Sequence, residues 1–337
     1  MKSNLFRELT DEELKTVVRE LLHTTPASAR LLSGGLFNTT YLVDTADCGR
    51  TVLRVGPVNR HLLLPYEHFL MEAETEVYSL CQRHGVPSSE VLAADWSKTI
   101  LDRDLMFVRY IPSAAMHETP LTDAERERIR GEAGRAMRLY NGITGERFGR
   151  PHDLLRGGGF ARWSDALMKE IDEFEEVCVP AGLFTGDEHK RIRELFEASR
   201  PILDEIAVPH LLHTDLWEGN ILVKEDADGG HSFAALIDAD RAIWGDPDFE
   251  LPCMDYWTKD SPAFREAYGA APDGTEHTRI RRLLYDLLMK IWAVYIYEIE
   301  YNEPDQRERE YRGALRVMEE LCGLTGILTP MRTGVQE

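Results

Sequence analysis

Asp215 and Asn220 stand five residues apart in the stretch His213-Thr214-Asp215-Leu216-Trp217-Glu218-Gly219-Asn220-Ile221-Leu222-Val223. Asp238 ends a short apolar run 18 residues after Asn220, in Leu236-Ile237-Asp238-Ala239-Asp240-Arg241-Ala242-Ile243-Trp244-Gly245-Asp246-Pro247. An Asp and an Asn on one loop can converge on a single point, and an Asp at the end of the next strand can join them. Phosphoryl transfer asks for such a set: one carboxylate to orient a hydroxyl, and an Asn with a second carboxylate to hold magnesium. That metal is hard and takes oxygen ligands, which suits Asp and Asn better than Cys or His. Either stretch alone is also what a capped turn looks like; the pair carries the chemical reading.

The elements that must position these residues change character along the chain. Thr10-Asp11-Glu12-Glu13 reads as a capping box, followed by Leu14, Val17, Val18, Leu21 and Leu22 at helical spacing. Arg30 to Val43, with glycines at 34 and 35, and Thr51 to Val55 read as strands of an antiparallel sheet. A helix is predicted over about 65–84, and further strands over Val91 to Trp96 and Leu105 to Tyr110. Beyond Pro112 the pattern is helical, over 122–140, 160–178, 186–206, 279–302 and 306–322, broken by the polar loop and short apolar runs that hold the candidate residues. Sheet first and helices second predicts an α+β chain of two lobes, 1–109 and 110–337, with a hinge near 110.

Composition narrows the function. The chain has 337 residues, 59 acidic against 39 basic, and a formal charge of -20. That argues against a nucleic-acid binder and an anionic membrane surface, and permits a cationic substrate. No apolar run approaches a membrane span and the N-terminus has no signal-like stretch, so the expected address is the cytoplasm. Five dispersed cysteines without a CxxC suggest neither zinc nor a redox pair, and there is no GxxxxGK[ST] loop.

The stretch HTDLWEGNILV resembles the HGDxxxxN catalytic loop of the aminoglycoside phosphotransferase and choline kinase group, and IDADRAIWGDP resembles that group's IDxxxxxxGDP metal loop. Ser33-Gly34-Gly35-Leu36-Phe37-Asn38 looks like its nucleotide loop, and Tyr140-Asn141-Gly142-Ile143 ahead of Phe148-Gly149 takes the place of its usual Leu-His stretch. The resemblance implies a protein-kinase-like fold: a sheet-and-helix lobe for nucleotide and a mainly helical lobe for catalysis. It makes Asp215 the catalytic base, and Asn220 and Asp238 magnesium ligands. His213 is expected to fix the loop through its ring, and Asp246 to steady it through backbone hydrogen bonds while capping the turn at Pro247. Ser33, Gly34, Gly35 and Asn38 would lie against the phosphates of ATP or GTP, and Arg109, Tyr110 and Ile111 would form the hinge that reads the base.

The chain departs from the pattern in places. Arg54, in Val52-Leu53-Arg54-Val55, stands where a kinase-like site wants Lys, and keeps the charge with a different hydrogen-bonding fork. Glu74 is its expected partner, because Leu70, Val77, Tyr78 and Cys81 share its helix face, whereas Glu72 and Glu76 are expected in solvent. Thr214 replaces Gly, and Trp217-Glu218 replaces the common His-Pro; a Trp there is a feature of fructosamine kinases. For the acceptor, Asp240, Asp255 and Glu298 are the candidates, chosen because carboxylates and the aromatic run from Asp286 to Tyr301 would suit an amine. Three readings follow: a kinase for an aminoglycoside-like antibiotic, a metabolic kinase for choline, homoserine, fructosamine or a similar alcohol, and an inactive nucleotide-binding module.

Overall fold

The computed structural model describes residues 3–32, 35–258, 260–269 and 274–326, without the side chains of 255–257. Ser33 and Gly34 therefore lie outside the described residues, as does the side chain of Asp255. Helix α1 (Asp11–Leu22) starts at the expected capping box: Thr10 accepts from the Glu13 N–H, and Glu13 accepts from the Thr10 N–H. It packs Leu14, Val17 and Val18 on a sheet of β1 (Pro26–Leu31), β2 (Thr39–Thr45), β3 (Gly49–Val55), β4 (Val91–Asp95) and β5 (Leu105–Arg109). The strands run antiparallel in the order β1-β2-β3-β5-β4. Their inner face, from Tyr41, Val43, Leu53, Val55, Leu105 and Phe107, forms one small core with α1.

Between β3 and β4 the chain makes a 3-10 turn at Pro65–Phe69 and then α2 (Leu70–Arg83), which divides the single helix expected over 65–84. The inward face of α2 joins a second core that also holds Ile129, Leu211, Leu216 and Ile221 from the second lobe, so α2 links the two halves. The sheet ends at Arg109, and the strand β6 (Ala114–Ala115) that follows pairs with the second lobe instead.

The second lobe is mainly helical. Its frame consists of α3 (Asp123–Asn141), the short α4 (Pro151–Leu155), α5 (Trp163–Ala181), α6 (Gly186–Ala198) and α7 (Arg200–Leu203). The break in helicity contains β7 (His210–Leu212), β8 (Ile221–Glu225), β9 (His231–Leu236) and β10 (Ile243–Gly245). Strands β6, β8 and β9 form a three-stranded sheet, and β7 pairs with β10. Helices α8 (Leu251–Thr258), α9 (Pro262–Tyr268), α10 (Glu276–Tyr295) and α11 (Pro304–Thr325) complete the lobe. The largest core lies here, around Trp163, Phe174, Phe196, Phe249 and Tyr285. The helix expected to run to 302 changes to a π-turn at Ile296–Glu300, which turns Glu300 into the interior. The result is a bilobal, protein-kinase-like α+β fold.

Truncating the cap Thr10→Ala is expected to destabilise the chain by about 1 kcal/mol in denaturant unfolding. The contribution of this corner is also pH-dependent. Arg7, and to a lesser extent the Thr10 N–H, hold the Glu13 carboxyl down to about 2 from an ordinary 4.5. A depressed carboxylate stabilises the fold fully above its unfolded value, so the contribution is lost as pH falls from 4.5 toward 2. Glu13→Gln should flatten that acid limb; an unchanged stability profile between pH 5 and pH 2 would rule out this origin.

Candidate active site

A buried cation on β3 organises the site. Arg54 is buried, and its guanidinium pairs with Glu74 of α2 through one nitrogen and with Asp238 through the other, with Asp240 at 3.5 Å. Carboxylate oxygens of Glu74, Asp238 and Asp240 all fall within 4.8 Å of one another. Burial works against the Arg54 charge, but Glu74 and Asp238 outweigh it and hold the guanidinium well above its ordinary range. Burial pushes the Glu74 and Asp240 carboxyls up, and their acidic neighbours push in the same direction. One guanidinium cannot neutralise three carboxylates, so the cluster has the hard oxygen donors and the excess negative charge that a divalent cation requires. Asp238 is the most open of the three, with 38% of its side chain exposed, and it adopts a left-handed backbone at φ 63°.

The catalytic-loop candidates are tied to this cluster by backbone bonds. Ile237 donates its N–H to Asn220 O at 3.0 Å and accepts from His213 Nε2 at 3.0 Å. Asp238 donates its own N–H to Tyr78 Oη of α2 at 3.0 Å. The His213 ring is fully buried, which pushes its pKa down; with Nε2 donating, Nδ1 is left to face the Asp215 N–H. Asn220 Nδ2 donates to Asp215 O at 2.7 Å, which leaves the amide oxygen as the donor a metal would meet. Asp215 itself is half-buried, and its surroundings push its carboxyl up to about 7, chiefly by desolvation. Arg241 opposes the shift and Asp238 adds to it. A carboxyl at that value is matched to accepting a proton near neutral pH.

Other candidates fall elsewhere. Gly35 has a steric reason to be glycine, since a Cβ there would lie 2.4 Å from Asn38 O. Arg109 ends β5 with its side chain paired to Glu90, and its N–H donates to Glu90 O at 2.8 Å. Tyr110 lies under the Arg50 guanidinium at 5.3 Å, and Ile111 O accepts from Ser113 Oγ at 2.8 Å. Two acceptor candidates meet partners within the chain. Asp240 belongs to the Arg54 cluster, because its loop turns back toward β3 instead of out toward α10. Glu298 sits on the π-turn 3.7 Å from Arg307, so its charge is met within the chain. Glu72, expected in solvent, is mostly covered and pairs with Arg156, whereas Glu76 pairs with Arg83 near the surface.

Asp246 stands at the start of the turn that follows β10. It caps the 3-10 turn Pro247–Glu250 as expected, accepting from the Asp248 N–H at 3.1 Å and from Tyr285 Oη at 2.7 Å. The backbone grip on the catalytic loop, however, comes from Glu250. Its carboxylate accepts the N–H of His213 and, at 2.8 Å, the N–H of Thr214, and its third bond is from Asn141 Nδ2 at 2.9 Å. One turn of 3-10 helix carries the chain from the cap to the residue that faces the loop. The sequence shows an acid between Phe249 and Leu251 and the polar Asn141 among apolar neighbours, neither of which discloses its partner.

Thr214 reaches φ 61° under this grip, a conformation that a β-branched residue resists and glycine does not, and its Oγ1 donates to Arg241 O at 2.8 Å. Sequence reasoning also missed the clamp on Glu218: Arg126 and Arg130 of α3 both bond its carboxylate, Arg130 at 3.0 and 2.7 Å.

A model of the phosphotransferase enzyme family matches residues 28–283. No curated protein matches the chain in sequence. Solved structures do match in fold. A candidate fructosamine-3-kinase from Thermobifida fusca YX-ER1 is 18% identical, with TM-score 0.63, over 90% of this chain and 98% of that one. A thermostable mutant of aminoglycoside phosphotransferase APH(4)-Ia, in ternary complex with AMP-PNP and hygromycin B, is 17% identical, with TM-score 0.61, over 94% and 100%. The streptomycin–ATP complex of APH(2")-IIa is 15% identical, with TM-score 0.62, over 94% and 99%.

Removing the grip by Glu250→Ala strands two buried N–H groups and the Asn141 amide. We expect a loss of about 3 kcal/mol in unfolding free energy. Glu250→Gln, which keeps an acceptor but not the charge, should cost less and still lower turnover by loosening the loop. Full activity in a folded Glu250→Ala variant would show that the loop holds its shape unaided.

Proposed function

Because the chain belongs to the phosphotransferase enzyme family and is a small-molecule kinase, we propose that it moves the γ-phosphoryl group of ATP or GTP, with magnesium, to a hydroxyl of a small amine-bearing polyol. The observation that carries the reading is the backbone lacing of Asp215, Asn220 and Asp238 onto one face, beside the buried Arg54–Glu74 pair. Those groups divide the work. Asp215 accepts the proton as the acceptor oxygen bonds to the γ-phosphorus and the bond to the β–γ bridging oxygen breaks, releasing the nucleoside diphosphate. Arg54 is the cation on the nucleotide side, oriented by Glu74. Asn220 and Asp238 would hold the metal, which supplies charge neutralisation for the phosphates. The glycine loop around Gly35 and Asn38, together with Ser33 and Gly34, would cover the phosphates. Arg109, Tyr110 and Ile111 would meet the base where the two lobes, 1–109 and 110–337, join.

The acceptor class rests on two supports of unequal weight. Net charge of -20 favours an amine-bearing acceptor through long-range attraction. Trp217, exposed in the catalytic loop, resembles the fructosamine kinase pattern, and the named fold relatives include both a fructosamine kinase candidate and aminoglycoside kinases. Aminoglycosides and fructosamines share the chemistry of hydroxyls beside amines, so one screen separates the antibiotic reading from the metabolic one. The inactive-module reading has against it the full set of Asp215, Asn220 and Asp238.

A coupled assay of nucleoside diphosphate release, with magnesium and ATP or GTP, should be stimulated by one of these compound classes. Asp215→Asn should lower turnover by about a hundred- to ten-thousandfold while nucleotide binding persists. Asp238→Ala should abolish metal-dependent nucleotide binding in a titration. Unaltered turnover in folded Asp215→Asn would remove that residue from the base role, and no stimulation by any compound despite nucleotide binding would favour the binding module.

A further inference from the structure

A cavity of about 550 Å³ opens on the first lobe, sharing no lining residue with the site described above, between the N-terminal segment, the loop after β3 and the turn joining β4 to β5. Arg7, Arg60, His61 and Arg103 line it, against Glu13 and Asp102. The balance is basic, in a chain whose formal charge is -20. Arg7 and Glu13 neutralise each other through hydrogen bonds of 3.1 and 2.9 Å, which leaves two guanidiniums facing one carboxylate.

Neither of those guanidiniums has an acidic partner among the described residues. Arg103 is buried, and its nitrogens donate to Gly56 O, to Arg7 O at 2.8 Å and to Thr39 Oγ1 at 2.9 Å. Neutral acceptors satisfy its hydrogens but leave its charge uncompensated away from water. Arg60 has one nitrogen 3.4 Å from His68 Nδ1, and its buried Nε has no hydrogen-bond partner.

The neighbours register the resulting field. Burial pushes Arg103 down to about 10, and Arg7 adds to the shift. Burial pushes Lys98 down to about 8 and lowers His68, with Arg60 adding to both. Burial is the larger cause in each case, and nearby carboxylates offset part of it, Glu13 at Arg103 and Asp95 and Asp102 at Lys98.

We propose that this cavity binds a small multivalent oxyanion, phosphate- or carboxylate-bearing, with Arg60 supplying the hydrogen-bonding fork and Arg103 the buried charge. The volume is that of small-molecule sites in general. An arginine fork matches the oxygens of either anion. Asp102 would then be the residue that limits affinity, since it shares the cavity wall with the same two cations.

Calorimetric titration of the full chain with inorganic phosphate, and separately with tricarballylate, at near-physiological salt tests this. One of the two should bind, and which one binds identifies the chemistry. Arg60→Met should weaken that binding about tenfold. Asp102→Asn should tighten it by roughly threefold, a gain that damage to the fold cannot mimic. The proposal is overturned if neither anion binds, if both variants bind as the parent does, or if saturating ATP with magnesium displaces the anion, which would assign it to the nucleotide site.

Discussion

The arrangement of the active site depends on one buried guanidinium. Arg54 is fixed by the β2–β3–β5 ladder, and its two ends reach Glu74 on α2 and Asp238 on the loop after β9. A sheet, a helix and the second lobe therefore share one charge. Desolvating an arginine is costly and is offset only by partners in good geometry. Each of the three elements is held at the position where its side chain can serve as such a partner. Asp240 adds a third carboxylate, so without a further cation the cluster sheds charge only by holding protons, the direction in which the Glu74 and Asp240 carboxyls are pushed. This imbalance matters for function: a site complete in itself would have little electrostatic reason to take up a cation and a polyphosphate.

A second constraint acts on the other side of the cleft. The loop from His213 to Asn220 has little regular structure of its own, apart from one 3-10 turn at Glu218–Asn220. It is held by what surrounds it: Glu250 under its first peptide groups, the His213 ring against Ile237, and two arginines of α3 on Glu218. A Cβ on Gly219 would lie 2.2 Å from the Trp217 ring, so the indole folds back over the loop and requires glycine there. The strain at Thr214 and Asp238 is small beside these contacts and persists because they over-determine the backbone. Preorganisation of this kind is what phosphoryl transfer demands, since the protein contributes position and charge rather than covalent chemistry.

The division between what the sequence discloses and what it withholds follows from the range of the forces. The capping box at Thr10, the individual strands and the inward Glu74 were legible because each depends on a pattern within a few residues. The motif residues were legible because their spacing is local as well. Glu250, Arg241 and the Arg126–Arg130 clamp were not. Their partners lie far away in the chain, and a single acid or arginine gives no sign of which distant group it will meet. Asp246 caps the turn as expected, and Glu250, one 3-10 turn later, supplies a backbone grip on the loop that the spacing of residue types did not disclose.

The same reasoning limits what the aromatic and acidic run from Asp286 to Tyr301 says about the acceptor. In the fold much of that run is spent internally. Asp286 lies 3.3 Å from Lys290, Tyr295 Oη donates to Leu62 O at 2.9 Å, and Glu298 faces Arg307. Composition alone would read these carboxylates as a cradle for a cation, yet a paired carboxylate offers a ligand little. A cation does stand close to Asp215, the proposed base: Arg241, held by Tyr66 Oη and by Glu67 Oε1, both at 3.2 Å, is the strongest favourable charge acting on it. On the proposed reading, the acceptor would place its hydroxyl beside a carboxylate that already has a guanidinium for company. An amine on the same molecule would gain most on the side of Asp215 away from Arg241, so the spacing between amine and hydroxyl, more than total charge, would decide selection.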